Sequence, residues 1–379
     1  MKFFIGKGRD QMHIPKPLNV AIIGTGFGLN VQLPIFQAHP LFRVKGICSV
    51  RGRELHSSEV LKDITYFTKW EDMLNDQSID LISVTSIPST HFAISKEVMA
   101  SGYHVLCEKP FMMNAAEASE ILSLQEKSNV KGFIDFEWRY LPARQKVKRL
   151  LEQKEIGEIM HIDYQISSPG YQSLISTKQG WMGKEKHFGG MLGALGSHMI
   201  DTMTWLVGEP ISWVNAHLKT HISQAQISNE IEHRDADDTF MVHGELVFGA
   251  TFQMSLLNTL HHGTGSRLAI YGHHGSIVLS NDRIVELGKS HSALQVITDT
   301  NYDESKYPSI DNVDIRYIMA FYPFLNDIYV ALQENKFNKD LPTFVHAYQS
   351  QLVLDAIKHS SENGRKVNIK EMCADYSII

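Results

Sequence analysis

LNVAIIGTGFG, residues 18–28, joins a short apolar run to a cluster of glycines. An apolar run of this length that stops at glycines is typical of a buried parallel strand. We predict a helix after it, from about Asn30 to His39, and a second strand from Phe42 to Cys48. The glycine turn therefore lies between a strand and a helix, which is the context a dinucleotide-binding motif requires.

The same alternation of strand and helix continues through the first 140 residues. Further strands are predicted at residues 80–85, 103–107 and 131–135, and further helices at residues 91–101 and 115–126. Strands that alternate with helices of about ten residues indicate right-handed βαβ units in a mostly parallel sheet. We assign residues 18–140 to a doubly wound α/β domain of the Rossmann type, preceded by an N-terminal extension at residues 1–17.

The sequence after residue 140 follows a different pattern. Longer strands are predicted at residues 159–167, 213–220, 239–248, 250–257, 266–271 and 275–280. Turn glycines such as Gly249 and Gly272 separate several of them without intervening helices, which favours an antiparallel sheet. Helices are predicted at residues 143–153, 195–206, 317–334 and 345–362. Residues 141–379 are therefore expected to form an α+β domain with a largely antiparallel sheet.

Composition and charge argue against several classes of protein. The chain has 42 acidic residues against 36 Lys and Arg, whereas nucleic-acid binding requires a clustered basic excess. We see neither an apolar run of roughly eighteen residues nor a signal-peptide pattern at the start. Cys48, Cys107 and Cys373 are too scattered for a disulfide framework or a zinc cluster. We expect a cytoplasmic protein without nucleic-acid, membrane or metal partners.

The glycines have separate roles in the predicted dinucleotide site. Gly24 would allow a tight turn, and Gly26 would let the backbone approach the pyrophosphate, which rests on amides at the helix N-terminus. The third glycine of the fingerprint is expected at position 29, where this chain has Leu29, and Gly28 lies one position early. The residues assigned to cofactor binding in this turn are Gly24, Thr25, Gly26, Phe27 and Gly28.

The end of the second predicted strand bears on the choice of nicotinamide cofactor. An acidic residue about twenty residues beyond the glycines would bind the ribose hydroxyls of NAD and repel the extra phosphate of NADP. This chain has no acid there until Glu54, and instead has Ser49, Arg51 and Arg53, which can bind phosphate. The sequence favours NADP, with NAD possible. The alternative is that the arginines are solvent-exposed loop residues.

Four further motifs follow the glycine turn in a fixed order. They are SIPSTH at residues 86–91, ASGYHVLCEKP at 100–110, GEI at 157–159 and SSENGRKV at 360–367. In order and in motif the chain resembles the Gfo/Idh/MocA family of NAD(P)-dependent sugar and polyol dehydrogenases. On these matches we assign Ser86, His91, Glu108 and Lys109 to cofactor binding. The resemblance also implies an open C-terminal sheet whose outer face makes oligomer contacts, so we expect a homodimer or homotetramer.

Lys109 is a predicted catalytic residue. It follows a predicted parallel strand, at the edge where open α/β sheets bind ligands, and Pro110 fixes the direction of the chain after it. A lysine placed there can hydrogen-bond a substrate hydroxyl or stabilise negative charge on its oxygen as hydride leaves. The alternative is a surface ion pair with Glu108.

His198 is the second predicted catalytic residue. It lies in the glycine-rich segment FGGMLGALGSHMID, residues 188–201, whose small side chains let the backbone pass close to a ligand. The family carries an Asp four residues before this His, and both act with the lysine, but here that position is Ala194. His198 could be the sole general base, tuned by Asp201 on the same helical face. Otherwise the reaction differs from simple alcohol oxidation, or the protein binds cofactor but catalyses little.

Three polar residues after the fifth predicted strand are weaker candidates. Asp135, Glu137 and Arg139 could border the cleft, although a solvated loop explains them equally well. The adjacent histidine pairs at residues 261–262 and 273–274 lack carboxylate or cysteine partners at ligand spacing. We therefore predict no metal site.

The leading hypothesis is an NADP-preferring oxidoreductase that transfers hydride between nicotinamide and a hydroxyl or carbonyl of a sugar, inositol or related polyol. His198 would take the hydroxyl proton while Lys109 stabilises the forming alkoxide. The predicted substrate-binding residues are Lys109, Trp181, His198 and Asp201. One alternative is an enzyme that holds its cofactor tightly for transient oxidation in glycoside cleavage or sugar elimination. Another is a catalytically weak, NADP-binding regulatory protein.

Overall fold

The computed structural model of this protein describes residues 16–52, 63–299 and 303–375. Its first sheet has six parallel strands in the order β3-β2-β1-β4-β5-β6. The strands are β1 (Leu18–Ile23), β2 (Phe42–Cys48), β3 (Thr65–Phe67), β4 (Leu81–Val84), β5 (His104–Cys107) and β6 (Gly132–Ile134). This order confirms the doubly wound fold, in which ligands bind where the strand order reverses, here between β1 and β4.

Three helices connect the strands of this sheet as the hydrophobic pattern predicts. They are α1 (Leu33–Ala38), α2 (Pro88–Ala100) and α3 (Ala115–Glu126). A short π-helix, Gly28–Gln32, precedes α1, so the chain enters its first helix through a widened turn. A 3₁₀ turn, Glu137–Tyr140, follows β6 and leads into the second half of the chain.

The second sheet has nine strands in the order β16-β15-β14-β13-β7-β12-β11-β8-β17. They are β7 (Ile159–Ser167), β8 (Ile211–Lys219), β11 (Thr239–Leu246), β12 (Thr251–Leu257), β13 (Gly265–Gly272), β14 (Gly275–Ser280), β15 (Ile284–Lys289), β16 (Gln295–Asp299) and β17 (Val367–Asn368). Among the described strands of this sheet, β7 and β12 alone pair in parallel, which confirms the predicted, largely antiparallel sheet.

Most strands that the sequence did not predict are short or lie at sheet edges, whereas β15 has six residues and pairs with a strand on each side. The strands not predicted are β3, β15, β16, β17 and a separate hairpin formed by β9 (Gln224–Ile227) and β10 (Glu230–His233). The remaining helices are α4 (Pro142–Glu152), α5 (Tyr171–Ser176), α6 (Ser197–Val207), α7 (Ile315–Glu334), α8 (Phe344–Asn363) and α9 (Ile369–Asp375). Among the described residues, no helix has the length and apolar character needed to cross a membrane.

Two C-terminal helices pack back onto the first sheet. Phe321 of α7 meets the ring of Phe36 edge-on at 5.5 Å, within an apolar cluster that includes β1 residues. Phe344 of α8 occupies the space in which a side chain at position 132 would lie, so only Gly132 fits there. The predicted domain boundary near residue 140 stays a prediction, and the core of the first sheet includes residues far beyond it.

A buried ion pair joins the 3₁₀ turn after β6 to α6. Arg139, in the 3₁₀ turn after β6, donates two hydrogen bonds to Asp201 of α6, with N–O distances of 2.9 and 2.6 Å. The same guanidinium donates to the carbonyl oxygen of Asp340 at 3.2 Å. Arg139 and Asp201 are 1% and 2% exposed. Because water does not reach either group, each charge is stabilised by the opposite charge of its partner.

We predict that Asp201→Ala destabilises the fold by about 3–5 kcal/mol, because it leaves the Arg139 guanidinium buried without its counter-charge. Chemical denaturation of wild type and variant measures this change. The control is Glu334→Ala, which removes an exposed ion pair with Lys336 and should change stability far less than Asp201→Ala. Equal stability of the two variants would contradict the structural role of Asp201.

Candidate active site

A cleft of 610 Å³ opens along the carboxyl edge of the parallel sheet. Its walls come from the glycine turn, the ends of β2, β4 and β5, the 3₁₀ turn after β6, and the segment that enters α6. Predicted residues that line it are Gly24, Thr25, Gly26, Phe27, Ser49, Arg51, Ser86, Glu108, Lys109, Trp181 and His198. The structure therefore brings most of the predicted cofactor and substrate residues into one continuous space.

The glycine turn has the backbone that the sequence predicts. Gly24 has a φ of +134°, and a side chain there would collide with Thr85. A side chain at Gly26 would meet no atom within 4 Å, so this backbone is open to a ligand in the cleft. Gly28 does not line the cleft; a side chain there would strike Thr85 and Ile22. Gly28 thus supplies the close helix–strand packing of the fingerprint's third glycine, one position early.

Charge at the end of β2 is mixed. Ser49 is buried and Arg51 is exposed, and both line the cleft. A neighbouring cavity of 510 Å³ shares Ser49 with residues 68–72, a segment that contains Lys69, Glu71 and Asp72. Sequence spacing gave no indication that these acids approach the same strand end. Arg53, the other predicted phosphate ligand, lies outside the described residues.

Lys109 reaches across the junction between the two halves of the chain. Its Nζ donates to the carbonyl oxygen of Ala194 at 2.9 Å, in a second short π-helix, Leu192–Gly196, that leads into α6. The peptide bond to Pro110 is cis, and the lysine side chain lies half-buried in the cleft. The ammonium therefore faces the site and is not in the surface ion pair with Glu108 considered from sequence.

Behind Lys109, buried polar side chains form a hydrogen-bond network. Gln32 Nε2 donates to Glu108 Oε1 at 3.0 Å and to Asp135 Oδ2 at 2.9 Å, and Ser83 donates to Gln32 Oε1. Burial, with Glu108 and Glu137 nearby, raises the pKa of Asp135 well above its usual range. The neutral, protonated form of Asp135 is therefore favoured over what an exposed carboxyl would show. Glu108 forms part of the cleft wall, but one of its carboxylate oxygens is bonded inward to Gln32.

His198 is held between aromatic rings. It is 2% exposed and stacks on Trp138 with ring centroids 4.1 Å apart and planes 8° apart. Burial lowers the pKa of His198 well below its usual value, and the positive charges of Lys109 and Arg144 lower it further. The imidazole is therefore neutral throughout the physiological range. A neutral ring of such low basicity can donate or accept a hydrogen bond, but it is a weak proton acceptor.

Glu137 is the acidic side chain nearest to His198. Its Oε2 lies 3.7 Å from His198 Nε2, and it is 3% exposed. Neither Glu137 Oε2 nor His198 Nδ1 has a hydrogen-bond partner among the described residues. Burial raises the pKa of Glu137 to about 8, with Lys109 opposing and Glu108 adding to the rise. The solvated-loop interpretation of Glu137 is therefore wrong.

Two predicted site residues have structural positions instead. Both carboxylate oxygens of Asp201 accept hydrogen bonds from Arg139, and Asp201 does not line the cleft that contains His198, so the predicted role of Asp201 in tuning His198 and binding substrate has no geometric support. His91 is fully buried, with Nδ1 3.1 Å from the carbonyl oxygen of Pro110 and Nε2 3.0 Å from that of Ser86. His91 therefore ties α2 to the turn that carries Lys109 and does not face the cofactor space.

Two aromatic residues of the cleft were missed from sequence. Trp138 lies beneath His198, and Tyr317 of α7 meets the ring of Phe27 edge-on at 5.4 Å. Tyr317 lies almost 290 residues from the glycine turn, and no local signal marks such a contact. Within the described ranges, no group of three or more His, Cys, Asp or Glu side chains has the arrangement of a metal site.

Comparison with known proteins gives relatives of nearly full length. The chain is 27% identical to an uncharacterized oxidoreductase of Synechocystis, over 94% of this chain and 97% of that protein. It is 25% identical to levoglucosan dehydrogenase of Pseudarthrobacter phenanthrenivorans, over 94% of this chain and 99% of the relative. A solved levoglucosan dehydrogenase in complex with NADH and L-sorbose shares the fold, with a TM-score of 0.81 at 22% identity, covering 93% of this chain and 99% of that one.

Two family models cover most of the chain. Residues 18–136 match the model described as an oxidoreductase family, NAD-binding Rossmann fold. Residues 148–369 match the model of the same family's C-terminal alpha/beta domain. The chain therefore belongs to the Gfo/Idh/MocA oxidoreductase family.

Proposed function

We propose that this protein is an NADP-preferring dehydrogenase that acts on a secondary hydroxyl of a sugar, inositol or related polyol. The observation that carries the proposal is the continuity of the cleft, which runs from the open backbone at Gly26 to Lys109 and His198. A dinucleotide binds at the glycine turn of such a sheet and extends along its carboxyl edge. One space thus accommodates a cofactor and a reacting hydroxyl.

The residues present fit a nicotinamide dinucleotide. Gly26 leaves room for a pyrophosphate, and Ser49 and Arg51 lie where an adenosine ribose would be bound. When bound, the cofactor supplies a hydride acceptor or donor. The cation at Arg51 supports NADP, whereas the acids at residues 71 and 72 lie close enough to the same end to support NAD.

The substrate end of the cleft combines apolar rings with a few polar groups, as sugar sites do. Trp138 and Trp181 offer aromatic faces, and Lys109 and His198 offer polar atoms. The full-length likeness to levoglucosan dehydrogenase supports a sugar or a related polyol as the substrate class.

The chemical roles follow from charge. Lys109 holds a positive charge at the carboxyl edge of the sheet, where it stabilises negative charge on the substrate oxygen as the C–H bond breaks. His198, neutral and immobilised by Trp138, orients that hydroxyl through a hydrogen bond. The same groups would serve carbonyl reduction in the opposite direction.

NADPH should bind more tightly than NADH. Arg51→Ala should weaken NADPH binding by about tenfold, because a contact with the extra phosphate is lost, and should leave NADH binding nearly unchanged. Titration followed by reduced-nicotinamide fluorescence measures both affinities. Arg43→Ala, on the exposed face of β2, is the matched control and should change neither. Preferential binding of NADH would reverse the cofactor assignment, and binding of neither would remove the proposed function.

Lys109→Met should lower kcat on an active sugar or polyol by about 10²–10³-fold, because charge stabilisation of the reacting oxygen is lost. The loss of kcat should exceed any loss of NADPH affinity, because the glycine turn, Ser49 and Arg51 line the rest of the cofactor space. Lys178→Met, at an exposed ion pair with Glu230, is the control. Cofactor binding without turnover in the wild type, across a broad sugar panel, would instead favour a regulatory protein. Cofactor that stays bound through purification and is regenerated each cycle would favour a lyase or glycosidase.

A further inference from the structure

The family's acid is missing at Ala194, yet an acid stands close to His198 from a different direction. Glu137 comes from the 3₁₀ turn after β6, whereas Ala194 belongs to the π-helix before α6. Both positions line the same cleft. A carboxylate can therefore reach the reacting hydroxyl from the first domain although the second domain does not supply one.

We propose that Glu137 is the proton acceptor of the reaction, a catalytic role in this chain that replaces the acid absent at position 194. The inference rests on the proposed dehydrogenase function. Its geometric basis is that Glu137 lines the cleft, is 3% exposed, and points Oε2 at His198 across 3.7 Å with no hydrogen-bond partner among the described residues. Buried polar atoms are nearly always hydrogen-bonded, so such an unpaired oxygen in a cleft indicates a group that a ligand completes.

The proton transfer balances with hydride transfer. The substrate C–H bond breaks and its two electrons leave with the hydride to oxidised nicotinamide. The hydroxyl O–H bond breaks, a C=O bond forms, and the proton joins the Glu137 carboxylate. The substrate is oxidised, the nicotinamide is reduced, and Glu137 ends as a neutral carboxylic acid that exchanges its proton with solvent through the open cleft.

Glu137 is a better proton acceptor than His198 because the surroundings of the two residues shift their pKa values in opposite directions. Its neighbours that carry or can acquire charge come from every packed element: Glu108, Lys109, Asp135, His198 and Tyr317. Burial and Glu108 raise the pKa of Glu137 to about 8, whereas burial and Lys109 lower that of His198. A general base works best with a pKa near the working pH, and of the two residues only Glu137 meets that condition.

Glu137→Gln tests the role without changing the size of the side chain. In the oxidation direction, wild-type kcat/KM should rise about tenfold per pH unit below pH 8, because Glu137 must be ionised to accept the proton. Glu137→Gln should lose this pH dependence, and its kcat should be about 10²–10⁴-fold lower with little change in KM. Glu152→Gln, at a surface ion pair, is the control and should keep the profile.

Moving the carboxylate provides a second test. Glu137→Gln combined with Ala194→Asp places an acid at the family position, beside the carbonyl that accepts from Lys109. The double variant should recover at least about tenfold in kcat over Glu137→Gln alone, as expected if the two positions serve one general-base role. A purely structural defect at position 137 would not be repaired by this change.

The thermal stability of the protein without cofactor tests the role of Glu137 independently of turnover. When folding raises the pKa of a carboxyl, the group contributes to stability at pH values below its pKa in the unfolded chain. This contribution is lost as the pH rises through its pKa in the folded protein. Between pH 6 and pH 9 the melting temperature of wild type should therefore fall relative to Glu137→Gln, by at least about 2 °C. A constant difference would show that the carboxyl is not held in its neutral form.

The outcomes separate this inference from the proposed function. If the wild type turns over a substrate and Glu137→Gln keeps the same kcat and the same pH dependence, the role of Glu137 is overturned. The dehydrogenase function would still stand. An increase in KM with unchanged kcat would also overturn the inference, since it would show that Glu137 only binds the substrate. If the wild type turns over no sugar or polyol, the proposed function fails and this inference fails with it.

Discussion

The ion pair between Arg139 and Asp201 is the contact on which the geometry of the site depends. Arg139 lies two residues after Glu137 in the same 3₁₀ turn, and Asp201 lies three residues after His198 in α6. The pair therefore fixes the spacing of Glu137 and His198, which come from different halves of the chain. Because breaking one partner of a buried pair costs about 3–5 kcal/mol, the two halves cannot slide apart without unfolding this junction.

Burial gives the site its chemistry at a cost in stability. Glu108, Asp135 and Glu137 converge on one side of Lys109, and like charges in a desolvated space cannot all ionise. The pKa of Asp135 is therefore raised well above its usual range, and that of Glu137 is raised to about 8. The same surroundings remove the basicity of His198. Burial thus shifts the pKa values of Glu137 and His198, which both line the cleft, in opposite directions, and such shifts are typical of catalytic sites.

Much of the fold follows from local sequence, and much of the site does not. Local sequence predicts the alternating strands, the glycine turn and the strand that precedes Lys109, and the structure confirms this architecture. Asp201 was misassigned because helical spacing shows which residues share a face but not what packs against it. Glu137 was predicted only weakly because its burial depends on α6 and α7. Tyr317 enters the cleft from α7, a contact that only the tertiary fold creates.

A crystal structure with bound NADPH would decide whether one cleft holds both the cofactor and the reacting hydroxyl. We expect the pyrophosphate against Gly26, the adenosine end beside Ser49 and Arg51, and the nicotinamide ring within contact distance of Lys109 and His198. Density for the cofactor elsewhere, or in the opposite orientation with the adenine at Lys109, would contradict the assignment of one cleft to both cofactor and reacting hydroxyl.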